Sequence, residues 1–449
     1  MPEDSHHSSR GSDHPVGMDV ARRVPPADDA DGNDDDDAAV MGLCWGQPKI
    51  PDPFVWPQAD ALASSERELD APVVDVGAAM RGGGDGDGMR RAAEQVAAAC
   101  ASHGLFQVTG HGLDPALARA ALDGAAGFFR LPLATKRRAR RAPGNVTGYA
   151  AAHVDRFTAN LPWKETLSFG HRDHRAAGAH VVVDYFTSVL GSEFKPLGAV
   201  YQDYCEAMKQ VSLAIMEVIG VSLGVGRSCY RDFFADGCSI MRCNYYPPCP
   251  EAERALGTGP HCDPSALTFL LQDGAVDELQ VLVDGEWRPV RPRPGALVVN
   301  IGDTFTPLAP LRACGRDEAR QPASAEIYRT YVRMLAVRVR PAGRAVERAV
   351  PELPAPRGGA LGAGAAVAGL LPLPARGPRG APAAARGQEE RRRRYPDFTW
   401  ADMARFTQRH YRADARTLEA LARWLGAAAP TCAAATSASQ SQDKAQETA

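Results

Sequence analysis

His261-Cys262-Asp263 sets an imidazole and a carboxylate two residues apart. On an extended strand such residues point to one face, so both side chains can close on a single ion. That is half of the two-histidine, one-carboxylate site that holds non-haem Fe(II) and leaves coordination positions open for oxygen chemistry. The same spacing recurs at His153-Val154-Asp155 and His171-Arg172-Asp173, so spacing alone selects nothing. Context does. Pro247-Pro248-Cys249-Pro250 and the turn Gly257-Thr258-Gly259-Pro260 break the chain ahead of His261, and the apolar run Leu267-Thr268-Phe269-Leu270-Leu271 follows Asp263. A ligand pair that opens a buried strand is held rigidly. The other two pairs read as loop residues.

The elements that must hold this pair change in texture along the chain. Met89 to Ser102, Pro115 to Phe129 and Val200 to Leu223 carry helical spacing, with short strands at Pro72 to Val76 and Leu105 to Val108. From Cys238 onward, short strands are expected at Ser239 to Tyr245, Leu267 to Leu271, Leu279 to Val283, Glu286 to Val290 and Ala296 to Ile301. Asp284-Gly285 marks a hairpin turn between two of them. Helices followed by closely spaced strands predict an α+β protein with a β-sandwich or jelly-roll core.

Composition narrows the partners. The chain has 449 residues, 45% of them hydrophobic, and a net charge of -3, which argues against nucleic acid. Its ten cysteines include no Cys-x-x-Cys pair and no secretory signal precedes them, so reduced thiols in the cytoplasm are expected. No apolar run reaches the roughly 18 residues of a membrane span. Residues 1–45, with Asp34-Asp35-Asp36-Asp37, read as a disordered acidic tail, and residues 428–449 as a second tail.

Asn244-Tyr245-Tyr246-Pro247, His261-Cys262-Asp263 and Asn300-Ile301-Gly302-Asp303-Thr304-Phe305 together resemble the plant iron(II)- and 2-oxoglutarate-dependent dioxygenases. Leu161-Pro162-Trp163-Lys164-Glu165-Thr166, the early Pro53-Phe54-Val55-Trp56-Pro57 and the late Tyr395-Pro396-Asp397-Phe398-Thr399-Trp400 narrow the resemblance to the gibberellin 20-oxidases. The resemblance implies a double-stranded β-helix with flanking helices. It implies Fe(II), 2-oxoglutarate as co-substrate and ascorbate as auxiliary reductant. The implied reaction is stepwise oxidation of carbon 20 of a diterpenoid acid by a monomer. His261 and Asp263 would be metal ligands, and Asn244 and Tyr246 would line the co-substrate pocket. Leu161, Pro162, Trp163, Lys164 and Glu165 would bind substrate, with Lys164 meeting its carboxylate. Alternatives are a catalytically inactive binding protein of the same fold and a dioxygenase acting on a flavonoid-like molecule.

The family carries a second histidine some fifty residues beyond the first pair, then an Arg-x-Ser that clamps the distal carboxylate of 2-oxoglutarate. Neither is here: the only histidine after His261 is His410, on a segment that the family has as an outer helix. Residues 306–394 are crowded with Ala, Gly, Pro and Arg and show almost no strand pattern. Codons for Arg344 to Gly358, read one nucleotide along, can give Ala-Leu-Ser-Asn-Gly-Arg-Tyr-Gln-Ser-Cys-Leu-His-Arg-Ala. Those for Gly369 to Arg379 similarly give Leu-Ala-Phe-Phe-Leu-Cys-Pro-Arg-Glu-Asp-Arg. The missing histidine codon would straddle Ala355 and Pro356, and the Arg-x-Ser codons would fall between Ala365 and Ala368. A frame-shifted or mis-spliced segment is therefore expected, with the C-terminal part of the core disrupted. The domain reading is 46–225 for an N-terminal dioxygenase region and 238–305 for the first part of the catalytic core. The aberrant 306–394 follows, then a C-terminal helix at 395–427.

Overall fold

Among the described residues, helices dominate the first half of the chain and strands the second. The structure, a computed structural model, describes residues 48–302 except 58–64, 66, 81–85, 143–144, 155–158, 173–179, 236 and 274–278. It also describes 337–339, 365–373, 406 and 417–428. Among these, the helices are α1 (Gly77–Met80), α2 (Gly86–Ser102), α3 (Pro115–Phe129), α4 (Leu133–Arg137), α5 (Val181–Leu190), α6 (Lys195–Ser222), α7 (Arg227–Phe234) and α8 (Thr417–Ala428). α3 starts where its residues dictate. Asp114 caps it by accepting from the Ala116 amide at 2.9 Å, and Pro115 fills the first turn, where no amide hydrogen is needed.

The strands are β1 (Val73–Asp75), β2 (Leu105–Thr109), β3 (Gly148–Ala151), β4 (Glu165–Arg172), β5 (Cys238–Tyr246), β6 (Thr258–His261), β7 (Leu267–Gln272), β8 (Leu279–Val283), β9 (Glu286–Pro289), β10 (Leu297–Ile301), β11 (Val337–Val339) and β12 (Ala365–Leu373). They form an eight-stranded sheet, β1-β2-β10-β7-β12-β5-β4-β3, and a four-stranded sheet, β6-β11-β8-β9. Leu105 and Val298 of the large sheet pack with Leu279, Val281 and Val283 of the small one, so an apolar core lies between them. The other face of the large sheet, including Leu167, Phe169, Met241 and Val299, is covered by α6 through Tyr201, Tyr204, Met208 and Ile215. At the expected β8–β9 hairpin, Asp284 (φ 52) and Gly285 (φ 85) both adopt the left-handed conformation that a two-residue turn requires.

Five strands, β3, β4, β6, β11 and β12, depart from the sequence expectation, and three of them show why. Gly257 to Pro260 reads as a turn, yet Thr258–His261 is β6. It is the edge strand of its sheet, where a proline removes no shared hydrogen bond. β4 carries polar residues at alternate positions and a glycine, which hides it from a search for apolar runs. β12 lies inside the segment that shows almost no strand pattern. It fills the slot between β5 and β7, pairing with β5 from Ala365↔Tyr246 to Leu373↔Cys238 and with β7 over Val367–Leu370. Backbone pairing is indifferent to side-chain identity, and Pro372 lies beyond the stretch shared with β7. Of the C-terminal part expected to be disrupted, only β11, β12, Phe406 and α8 are described, with Phe406 packed on Leu421 and Trp424. The positions at 355–356 assigned to the missing histidine, and His410, lie outside the described residues. Among the described residues no helix is long and apolar enough to cross a membrane.

Candidate active site

His261 ends β6, and Asp263 sits in the turn that leads to β7. The His261 Nδ1 lies 2.9 Å from the Gly259 carbonyl. A carbonyl can only accept, so that ring nitrogen carries a hydrogen, and Nε2 is the nitrogen left to face an ion. Nε2 is 3.6 Å from Asp263 Oδ1, close to the roughly 3 Å that separates two donors each about 2.1 Å from one ion. Asp263 Oδ2 accepts from Asn300 Nδ2 at 3.3 Å. Burial pushes the Asp263 carboxyl up, but His261, Thr268 and Asn300 outweigh it and hold it below the ordinary carboxylate range. The aspartate is thus charged and aimed before any ion arrives.

Gly302, directly after β10, presses on this turn. Its amide donates to the Ala266 carbonyl at 2.9 Å, and a Cβ there would meet the Ser265 carbonyl oxygen and stand 2.9 Å from that of Asp263. Gly302→Ala must move the turn that carries the ligand. We expect a properly folded protein with metal affinity and turnover lowered roughly 10- to 100-fold, since a displacement near 1 Å has that scale of effect. Unchanged metal affinity in a titration would refute the contact's importance.

The long candidate motif divides by strand alternation. β4 and β5 are antiparallel, with Glu165 opposite Tyr245, Thr166 opposite Asn244 and Ser168 opposite Arg242. On the face toward the small sheet, Thr166 Oγ1 donates to Asn244 Oδ1 at 3.0 Å and Arg242 Nε to Ser168 Oγ at 3.1 Å. Just before β4, Lys164 Nζ donates to Thr258 Oγ1 at 2.9 Å. Tyr246 Oη also approaches Thr258 Oγ1, at 3.2 Å. Lys164 and Tyr246 are therefore gathered beside the strand that ends in His261, with Asn244 two residues from Tyr246 on the same strand.

Glu165 goes the other way. Its Oε2 accepts from Lys136 Nζ at 2.5 Å and from Tyr149 Oη at 2.6 Å, and both charged side chains are buried. Burial, and after it the neighbouring Glu165 carboxylate, push the Tyr149 phenol far above its usual range. Leu161 and Trp163 are buried in a cluster with Ile50, Phe54 and Cys249. The Trp163 indole donates to the Pro247 carbonyl at 3.1 Å and meets Phe54 edge-on at 5.1 Å. Pro162 is buried between them and accepts from the Lys164 amide at 2.9 Å. The structure thus brings Lys164 to the site and places Leu161, Pro162, Trp163 and Glu165 in its supports. His171 faces α6, near Glu206 and Lys209, and burial depresses its pKa. His153, also buried, follows β3; Asp155 and Asp173 lie outside the described residues.

Sequence reasoning placed Thr166 in the substrate-binding motif without a role of its own and assigned none to Ser168, Arg242, Thr258, Thr268 or Asn300. Arg242 was within reach, because it stands two residues before Asn244 on a strand. Thr258 was hidden by its turn-like neighbours. The nitrogen and carboxylate donors of His261 and Asp263, with a carbonyl orienting the imidazole, fit a divalent first-row ion such as Fe(II). Among the described residues no group of three His, Cys, Asp or Glu side chains converges on one point, so two protein donors are what this geometry supplies.

Two family models match the chain: "2OG-Fe(II) oxygenase superfamily" over residues 237–318 and "non-haem dioxygenase in morphine synthesis N-terminal" over residues 71–184. The chain is 54% identical to Gibberellin 20 oxidase 2 of Oryza sativa subsp. indica over 412 residues, covering 91% of this chain and 94% of that protein. It is 41% identical to Gibberellin 20 oxidase 5 of Arabidopsis thaliana, over 86% of this chain and 89% of that protein. Among solved structures, JOX2 in complex with 2OG, Fe and JA superposes with a TM-score of 0.59 at 23% identity, covering 81% of this chain and 91% of JOX2. The dioxygenase for auxin oxidation from rice does so with a TM-score of 0.54 at 24% identity, over 79% and 99% of the two chains. These two likenesses show the jelly-roll fold.

Proposed function

Because the chain belongs to the 2OG-Fe(II) oxygenase superfamily, among its gibberellin 20-oxidase-like plant dioxygenases, we propose that it oxidises carbon 20 of a diterpenoid gibberellin precursor. It is an oxidoreductase of a class whose cofactors are Fe(II) and 2-oxoglutarate. Bound Fe(II) supplies activation of dioxygen coupled to decarboxylation of 2-oxoglutarate. His261 and Asp263 would hold it, with Asn300 and the Gly259 carbonyl keeping both donors aimed. Asn244 and Tyr246 would orient the co-substrate, and Lys164 would meet a substrate carboxylate as a point charge. Leu161, Trp163 and Glu165 contribute by fixing the segment that carries Lys164 and Thr166.

One observation supports this reading most. The gibberellin-oxidase-like segment Leu161–Thr166 delivers Lys164 and Thr166 to the sheet face that holds Asn244 and Tyr246, beside His261. The test is turnover. Purified protein with Fe(II), 2-oxoglutarate, ascorbate and a twenty-carbon gibberellin precursor is expected to release succinate and a carbon-20-oxidised product. A flavonoid panel is expected to give none. Flavonoid turnover without gibberellin turnover would overturn the substrate assignment.

A second reading, a non-catalytic binding protein, is favoured by the pair of donors counted among the described residues. Binding of the precursor without succinate release would select it. Sequencing the transcript across the codons for Phe305 to Tyr395 tests the shifted frame that would restore a third ligand. We also propose a cytoplasmic monomer, which size-exclusion chromatography and cell fractionation check.

A further inference from the structure

Pro53-Phe54-Val55-Trp56 touches two segments that the site depends on. Asp52–Phe54 forms a single 3-10 turn, the chain runs on extended through Val55, and the Trp56 side chain is buried. Both backbone groups of Leu161, on the segment that leads to Lys164, are held here. The Leu161 amide donates to the Pro53 carbonyl at 2.8 Å, and the Trp56 indole donates to the Leu161 carbonyl at 3.2 Å. The benzene edge of the same indole lies on Gly259, whose carbonyl orients His261. A Cβ at 259 would collide with Trp56 Cη2 and stand 2.9 Å from Cζ3. The backbone of Gly259 is ordinary strand, so the ring is what excludes a side chain there, and glycine is what lets the strand come so close. Trp56 packs also on Leu256, whose carbonyl accepts from the Trp163 amide at 2.8 Å. One rigid ring system thus spans the gap between the lysine segment and β6, fixed by a hydrogen bond at one end and a close backbone contact at the other. The Lys164 Nζ to Thr258 Oγ1 bond joins the same two segments, one residue along β6.

We propose that Trp56 is a positioning residue for substrate recognition, a spacer that sets Lys164 at its distance from β6 and so places the substrate carboxylate relative to the metal pair. This rests on the functional reading above. Its consequence is that a side chain far upstream in sequence, in contact with no ligand, decides how strongly the site favours an acid over its uncharged ester.

The test has two arms, both on the full chain. Calorimetric titration of the protein loaded with Fe(II) and 2-oxoglutarate, under nitrogen, reads affinity for a gibberellin precursor acid and for its methyl ester, which carries no charge. Trp56→Leu is expected to weaken acid binding about tenfold, the scale of one charge-assisted hydrogen bond, and to leave ester binding within about twofold of the parent. A merely loosened fold would weaken both ligands alike. Thermal melts read the contact itself. Gly259→Ala is expected to lower the melting temperature by roughly 5 °C in the parent, as overpacking does, and by almost nothing on the Trp56→Leu background, where the ring is gone. Equal acid affinity in parent and Trp56→Leu, equal losses on acid and ester, or additive losses in the melts each overturn the spacer alone. Should Trp56→Leu not fold, Trp56→Phe, which loses the donor to Leu161, takes its place, and an unchanged preference for the acid overturns the spacer equally. A parent that binds neither ligand, or binds the ester as well as the acid, overturns the functional reading at Lys164 and the spacer together.

Discussion

His261→Ala is expected to abolish specific Fe(II) binding and, with it, 2-oxoglutarate-dependent turnover. The site offers two protein donors among the described residues, 3.6 Å apart, and removal of the imidazole leaves a lone carboxylate. Loss of a partner that merely orients a ligand lowers metal affinity about 10- to 100-fold, so losing a direct donor must exceed that. Asp263→Ala should do the same from the other side, and Asp263→Asn should lose affinity while keeping shape, because the charge goes. Replacing His153 or His171 is expected to leave the iron content per folded chain unchanged. His171 lies on the face of the large sheet turned to α6, with that sheet between it and the metal pair. Iron quantified after desalting, beside circular dichroism of each variant, decides the matter. Full iron content in His261→Ala, or none in a folded His171 variant, would mean the wrong pair has been chosen.

Lys136→Met should be the most damaging single change to stability. The ammonium is buried between the Glu165 carboxylate at 2.5 Å and the Phe129 carbonyl at 3.1 Å, under the ring of Tyr149. Removing it strands a buried carboxylate with only the Tyr149 hydroxyl for support. Breaking a buried pair from one side costs about 3–5 kcal/mol, which for a domain of this size lowers the melting temperature by roughly 6–20 °C. The double variant Lys136→Met with Glu165→Leu should recover most of the loss, since no uncompensated charge remains. Thermal melts of the two single variants and the double form the cycle. A double variant no better than Lys136→Met would show that the pair does more than satisfy its own charges.

How much of this was legible in the chain depended on what each residue's role rests upon. α3 and the strands around Leu267, Leu279 and Ala296 were readable, because burial of one face imposes a period on the apolar residues. His261 and Asp263 were readable because metal chemistry restricts the residue types. The division within Leu161–Thr166 was not readable from the residues themselves, since the motif looks like one recognition unit until β4 assigns Glu165 and Thr166 to opposite faces. Lys136, the partner of Glu165, is 29 residues away, and no local pattern announces it. β6 escaped because Gly259 and Pro260 signal a turn in any window that cannot see the sheet edge they occupy. β12 escaped for a different reason: its place is set by the open slot between β5 and β7 rather than by its own preferences.

The bond between the His261 ring and the Gly259 carbonyl has an evolutionary consequence. Most metal-binding histidines can be retuned by swapping the side chain that holds the second ring nitrogen, as when a carboxylate replaces an amide. Here the holder is main chain, identical whatever residue stands at 259. Codon changes at that position cannot remove the acceptor; they can only shift it by moving the strand. Point mutation therefore has little access to the ring's protonation pattern, and drift in iron affinity among descendants of this chain is channelled instead through Asn300, Thr268 and Gly302, the side of the site that the genetic code can reach.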